Sequence, residues 1–341
     1  MVGGYYRGSA IWGRVGMKTT MVQVSRHGGP EVLELVERNV PEPGPGEVRL
    51  HNRAIGLNFI DIYYRTGLYP EALPHSLGFE GAGEVEAVGP GVKDLKEGDR
   101  VAYAMGPLGA YCTMRCIAAS SLVALPRSIS FEQAAAVMLK GLTVQYLFRQ
   151  TYRLQGNETI LFHAAAGGVG LIACQWARAL GVRLIGTVGS PQKGRIAREH
   201  GAWQVIDYRA EDFVARVREL TGGVGVPVVY DGVGKDTWEK SLDCLQPRGL
   251  MVSFGNSSGP VVGVNLSILA QKGSLFVTRP TLATHIVPRS RMEESARELF
   301  DLIDRGAIGV EIAHSYRLSQ VAQAHADLAE RKTTGSCVLI P

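Results

Sequence analysis

Residues His163 to Gly181 read HAAAGGVGLIACQWARALG and place Gly167, Gly168 and Gly170 between an apolar run and a stretch with helical periodicity. Glycines in such a turn let the backbone approach a diphosphate, and the free N–H groups at the helix start face its charge. Gly170 stands where close helix–strand packing excludes a side chain. In the G-x-G-x-x-G pattern the first glycine would fall on Ala165. A glycine-rich turn without a ligand would carry the same letters. The strand before the loop, the helix after it and the strand–helix units that follow favour a dinucleotide site.

The next strand end selects the dinucleotide. A site for an unphosphorylated ribose carries Asp or Glu about 20 residues after the loop. Here the segment reads GTVGSPQKGR, with Ser190, Lys193 and Arg195 and no acid. A hydroxyl and a cation attract a 2′-phosphate that a carboxylate would repel, so the expected cofactor is NADPH. Lys193 and Arg195 would also suit a solvated helix face. Tyr208, after VID, could cover the adenine or touch the phosphate, and Asp207 is the alternative ribose ligand for NADH. A second loop, GNSSG from Gly255 to Gly259, follows the fifth strand. Asn256 and Ser257 could bond a carboxamide or ribose there; a plain polar turn would read the same.

These loops need a parallel sheet to hold them. From Thr159 the strands TILFHA, RLIGTV, QVIDY, PVVYDGV and LMVSFG alternate with the helical stretches VGLIACQWARAL, SPQKGRIAREHG, AEDFVARVRELTG and TWEKSLDCLQPRG. Apolar strands without in-out alternation belong to a sheet covered on both faces. The fold class is therefore α/β, with a doubly wound parallel sheet. Before it, from Met21 to about Val123, VLELVERNV, EVRLHNRAIG, GAGEVEAVG and DRVAYAM are short strands punctuated by glycine and proline, the spacing of a compact β barrel. Ser130 and Gln133 read as a capping box opening a helix. Two helices near Met292–Arg305 and Ser319–Glu330 and the strand SCVLIP would return the chain to the barrel. The segment KGSLFVT, Lys272 to Thr278, comes last in the cofactor sheet. Its apolar edge invites pairing with a second copy in a twofold dimer.

Composition is that of a globular protein, with 341 residues, 45% hydrophobic and 20% charged, and a net charge of +4. No basic block marks a nucleic-acid face. The 5 cysteines lack any C-x-x-C pair, which fits neither a disulfide framework nor a zinc knuckle and points to a reducing, cytoplasmic setting. No stretch approaches the roughly 20 apolar residues of a membrane helix. Residues 1–20 lack the apolar core of a secretory signal and read as a poorly ordered extension, with Met17 or Met21 as alternative starts.

The order of barrel, cofactor sheet and return tail resembles the medium-chain dehydrogenase/reductase superfamily. HGGPEVLEL, AIGLNFIDIYYRTGLYP, GFEGAGEVEAVGPGV, SFEQAAAVMLKGLTVQYL, HAAAGGVGLIACQWA and LMVSFGNSSG resemble its zinc-free, zeta-crystallin-like quinone oxidoreductases. The resemblance implies a GroES-like substrate domain over 21–140 and 285–341 and a Rossmann domain over 141–284. Zinc alcohol dehydrogenases place a Cys where Asn58 stands and a His where Phe79 stands; neither Asn nor Phe replaces those ligands, so no metal is expected. The family pattern adds NADPH contacts at Asn58, Phe59, Ile60, Asp61, Tyr63, Tyr146, Gly168, Val169, Gly189, Ser190, Lys193, Tyr208, Val233, Gly255, Asn256, Ser257, Ser258 and Arg331. It puts Tyr63 and Asn58 near the nicotinamide and gives Tyr69 to the substrate pocket. The implied activity is reduction of a quinone by NADPH, with Tyr63 as proton donor, anion stabiliser or only a packing wall. A double-bond reductase of 2-alkenals or enones would share the same cofactor domain. An NADPH-binding module for RNA would require the clustered basic face that the sequence lacks.

Overall fold

The computed structural model describes residues 17–341. The amino-terminal half holds β1 (Met17–Val24), β2 (Leu33–Val40), β3 (Glu47–Leu57), α1 (Phe59–Thr66), β4 (His75–Ser76), β5 (Glu80–Val88), β6 (Arg100–Ala104), β7 (Met114–Ala118) and β8 (Val123–Ala124). Helix α2 (Phe131–Tyr146) leads into β9 (Thr159–Phe162), α3 (Gly168–Ala179), β10 (Arg183–Val188), α4 (Pro191–Glu199), β11 (Gln204–Asp207), α5 (Phe213–Leu220) and β12 (Val226–Asp231). There follow α6 (Trp238–Asp243), β13 (Leu245–Ser253), α7 (Ser267–Gln271), β14 (Phe276–Thr278) and α8 (Leu282–His285). The chain closes with α9 (Arg289–Asp304), β15 (Ile312–Arg317), α10 (Val321–Ala329) and β16 (Ser336–Ile340).

Strands β9 to β14 form one parallel sheet in the order β11-β10-β9-β12-β13-β14. The order reverses between β9 and β12, and the crevice at that switch point is where such sheets bind ligands. The barrel side consists of a mostly antiparallel sheet, β15-β16-β3-β5-β6-β8 with β7 on β3, and a small sheet β2-β1-β4. The tail enters it directly: β16 pairs antiparallel with β3. Helix α2 joins the halves. It buries 12 of its 16 residues, the pattern of a helix covered all round. One continuous core runs from Ala54, Ala82 and Ala102 in the barrel through Ala134 to Met138 and on to Phe162 and Trp176. The capping box at its start forms as expected, with Ser130 Oγ accepting from the Gln133 N–H at 3.1 Å and the Gln133 side chain accepting from the Ser130 N–H at 2.9 Å.

Three sequence expectations change. Residues Met17 to Thr20 belong to β1, in register with Val40 to Glu37 across the hairpin, rather than to an extension; residues 1–16 lie outside the described chain. The segment LQPRG is the start of β13, not the end of a helix: Leu245 pairs with Val226, a bulge follows, and Arg248 takes φ +62°. The edge strand shrinks to Phe276–Thr278, because Lys272 ends α7 and forms an ion pair with Asp243. No helix among the described residues is long and apolar enough to cross a membrane.

Candidate active site

The glycine loop separates into two demands. A methyl group at Gly170 would come within 2.4 Å of the Ala164 carbonyl oxygen and 2.6 Å of the Ala165 backbone, so α3 can lie this close to β9 only without a side chain there. At Gly168 a methyl would meet the Lys140 stem at 2.9 Å. Gly167 is less constrained, meeting only the Ala164 oxygen at 3.2 Å. The alanine in the first slot also finds an explanation: the Ala165 methyl fills the space above Gly186, where a second methyl would approach to 2.5 Å. The first N–H groups of α3, from Gly168 and Val169 onward, have no partner inside the helix and suit a phosphate.

At the next strand end Ser190 caps α4, its Oγ accepting from Lys193 N–H at 3.3 Å. The Lys193 ammonium reaches the Arg331 carbonyl at 3.0 Å. Burial lowers its pKa, and the nearby charges of Arg331 and Arg209 lower it further. Three cations thus act on one another with no carboxylate among the groups that shift Lys193, an arrangement that suits an anion. Arg331 takes φ +59° and directs a guanidinium nitrogen to within 3.5 Å of the Ser257 carbonyl, tying this corner to the second loop. Arg195 lines a cavity of about 320 Å³ at the same strand end, with Ser190, Arg198, Asp207 and Glu211. Tyr208 is exposed, and its hydroxyl lies 2.6 Å from where a Gly189 side chain would begin, so its ring covers the loop. Arg209 escaped the sequence reading because nothing in its spacing separates it from a surface charge.

On the opposite wall, α1 presents Tyr63. Its hydroxyl accepts the Asn256 N–H at 3.1 Å, and its ring lies 5.1 Å from that of Tyr69 and 6.2 Å from that of Phe59. The Tyr69 hydroxyl accepts from Arg279 at 3.2 Å, and Arg279 also donates to the Ser253 carbonyl at 2.7 Å. The Asn256 amide, oriented to satisfy both its ends, accepts from Arg279 at 3.1 Å and donates to the Gly255 carbonyl at 2.9 Å. Burial pushes Tyr63 up to about 12, so the phenol stays protonated. Tyr146 is buried and stacks on His285 with ring centroids 4.5 Å apart. Arg279 and His285 are additions to the site; they sit past the last sheet strand, where periodicity carries no signal.

Two buried histidine networks hold these walls. Under α1, Arg65 donates to His325 Nδ1 at 3.1 Å and His325 Nε2 lies 3.1 Å from the Tyr111 hydroxyl, which donates to Asp61 at 2.8 Å. The Asn58 N–H also donates to Asp61, at 2.9 Å. Asp61 is therefore corrected as a cofactor contact. It has no exposed surface and faces the barrel core, because the third position of α1 turns inward to cap the helix start. Phe59 and Ile60, the two residues before Asp61, are half-buried, and the Phe59 ring lies beside Tyr63. Under the second wall, Asp231 accepts from the Val233 and Gly234 N–H groups, the Thr237 hydroxyl and the Ser241 hydroxyl, and Ser241 in turn meets His163 at 2.9 Å. The Ser258 hydroxyl lies 2.9 Å from the Val233 carbonyl and 3.1 Å from the Asp236 N–H, so it locks the two loops together.

Comparison with known proteins matches this geometry. The alcohol dehydrogenase GroES-like domain family matches residues 44–146, and the zinc-binding dehydrogenase family matches 168–305. Barrel, Rossmann sheet and cleft thus define a medium-chain dehydrogenase/reductase. A quinone oxidoreductase of Pseudomonas aeruginosa is 65% identical over 321 residues, covering 94% of this chain and 99% of that protein. A 2-haloacrylate reductase of a Burkholderia species is 44% identical, over 93% of this chain and 98% of its own. The structure of Escherichia coli quinone oxidoreductase complexed with NADPH superposes with a TM-score of 0.94 at 58% identity, covering 94% of this chain and all of that one. The chain belongs to the zinc-free quinone oxidoreductase family of the superfamily.

The zinc in one family description does not fit the residues present. The Asn58 side chain meets one carboxylate, Glu80, which pairs with the ammonium of Lys140 at 3.3 Å, and Phe79 precedes Glu80 in sequence. A buried ammonium repels a divalent cation, and one carboxylate cannot replace thiolate and imidazole ligands. No cluster of His, Cys, Asp or Glu among the described residues offers another metal site.

Proposed function

We propose that this protein is an NADPH-dependent, zinc-independent quinone reductase. The observation that carries the reading is the state of two phenols. Tyr63 accepts from a backbone N–H and Tyr69 from a guanidinium, so each keeps its own proton free to donate into the cleft. NADPH supplies a hydride when bound. Its phosphates fit the first turn of α3 and the Lys193, Arg209 and Arg331 cluster, with Ser190 capping α4 beneath. The carboxamide fits the Asn256 and Ser257 loop, Val233 and Asn58, and Tyr146 closes the pocket behind it. As negative charge grows on a quinone oxygen, two converging O–H groups stabilise it, and Arg279 strengthens the Tyr69 donor. A quinone accepts hydride without metal activation, so the lack of a zinc site is no obstacle.

NADPH and NADH oxidation against a panel of quinones and conjugated enones tests this. Quinones and NADPH are expected to be preferred; faster turnover with NADH overturns the cofactor reading. Tyr63→Phe is expected to lower kcat by 10- to 100-fold with little change in NADPH binding, about the contribution of one aimed donor. An unchanged kcat reduces Tyr63 to a packing wall. The relative that reduces 2-haloacrylate supports a second reading, because the same donors would stabilise an enolate.

The edge of the cofactor sheet supports a homodimer. Phe276 is 57% exposed on β14, and Val262 and Leu266, in the segment between β13 and α7, are 80% and 73% exposed. A monomer rarely leaves such a strand edge bare. Light scattering checks it, and Phe276→Lys is expected to give monomers. The 5 free cysteines fit a reducing cytoplasm.

A further inference from the structure

The proposed mechanism leaves one buried ion pair unused. Glu80 has no exposed surface, and Lys140 is only 5% exposed. Glu80 accepts from the Leu139 N–H at 2.7 Å, the Asn58 amide nitrogen at 2.7 Å and the Lys140 ammonium at 3.3 Å. A buried pair of this kind is a poor source of stability, since well-packed apolar residues of similar size do as well or better. Its place suggests a different role. Asn58 caps α1, the helix that carries Tyr63, and Lys140 lies on α2, the helix shared by both halves. The Lys140 stem packs on Gly168, the first residue of the helix that takes the diphosphate. The pair therefore joins the substrate wall to the cofactor loop.

The heteroatoms of a carboxamide diverge. With its nitrogen held by Glu80, Asn58 must turn Oδ1 away from the ion pair. We propose that Glu80 and Lys140 are positioning residues for hydride transfer: they fix the Asn58 amide with its oxygen as an acceptor toward the cleft, in register with the cofactor loop. Without the charged acceptor the amide can flip and present a donor instead, and the hydride donor and acceptor lose alignment. The inference deepens the quinone reductase reading and rests on it, so wild-type turnover of a quinone is established first; its absence overturns that reading and not this geometry.

The test is a mutant cycle in the full chain with NADPH and a benzoquinone. The double variant Glu80→Gln/Lys140→Met removes both charges and is expected to fold, because no lone buried charge remains. Its kcat is expected to fall about 100-fold, the scale of a misplaced reacting group. NADPH dissociation, followed by fluorescence, is expected to change less than threefold. The deuterium isotope effect with cofactor labelled at C4 is expected to rise as hydride transfer becomes rate-limiting. Asn58→Ala is expected to lose a similar factor, and the triple variant no more than Asn58→Ala alone, since residues acting through one another are non-additive. A kcat within threefold of wild type in the double variant overturns the proposal. So do losses that multiply in the triple variant. Should the double variant fail to fold, Glu80→Asp decides: it keeps both charges but draws back the one carboxylate oxygen that receives Asn58 and Lys140, and a wild-type kcat there overturns the proposal as well.

Discussion

The two walls of the cleft rest on the same device, a buried histidine leading to a buried aspartate, but finish it differently. Behind the cofactor wall, Asp231 receives four hydrogen bonds, two from the backbone of the very loop it positions. Behind the substrate wall, Asp61 receives two, and its Oδ1 has no partner. A carboxylate with every lone pair used is a rigid anchor. One left half-used in the core sits at the edge of neutralising itself, and Asp61 is indeed pushed up to about 7, chiefly by burial. In the proposed function the fixed wall holds the cofactor, while the wall carrying Tyr63 is the one whose support responds to pH.

Asp231→Ala strikes the saturated network and should have the largest effect. It strands the Val233 and Gly234 N–H groups and costs on the order of 3–5 kcal/mol, by analogy with breaking other buried charged networks. Urea unfolding is the measurement, and NADPH affinity should fall along with stability as the Val233 loop loosens. A loss below about 1 kcal/mol would show that Asp231 is not the anchor and erase the contrast between the walls.

Asp61→Asn comes next and should act through pH. Asp61 titrates near 7 in the fold against about 3.9 unfolded. Its contribution is therefore fully present below about pH 4 and is lost as pH rises through 7. His325 has the opposite sense: burial and then Arg65 lower it to about 3, so its contribution is present above about 6.5 and is lost as pH falls. Their sum places the stability maximum of this wall on the mildly acid side of neutrality. The variant should flatten the alkaline limb, gaining about 1.4 kcal/mol relative to wild type between pH 6 and 8. Urea midpoints across that range decide it; parallel curves would mean that Asp61 stays ionised throughout.

Which of these features the sequence exposes follows from the range of the forces involved. The glycine loop, the capping box of α2 and the strand–helix rhythm are local, so residue types at fixed spacing report them directly. Asn58, Tyr63 and Tyr69 came only from family resemblance, since no spacing rule ties a phenol on α1 to a backbone N–H near residue 256. His325 and Asp61 lie 264 positions apart yet share one chain of hydrogen bonds through Tyr111. Asp61 was misplaced for that reason: within NFIDIYY nothing distinguishes the residue that turns inward from those facing the cleft. Arg279 was overlooked because it follows the last strand, beyond the periodic pattern.

The smallest effect concerns specificity on the fixed wall. Lys193 is half-buried and shares its corner with Arg209 and Arg331. Mutual repulsion of three cations is unfavourable in the free protein, and a phosphate dianion would relieve it. Lys193→Ala should therefore weaken NADPH by about tenfold, near 1.4 kcal/mol, and leave NADH within twofold. The loss should shrink in 0.5 M salt, where screening acts within a few ångströms. Stability should hold or improve slightly, since removing one cation eases the repulsion. Equal losses for both cofactors would mean that Lys193 supports the loop through the Arg331 carbonyl rather than reading the phosphate, and the cofactor wall would then discriminate by shape instead of charge.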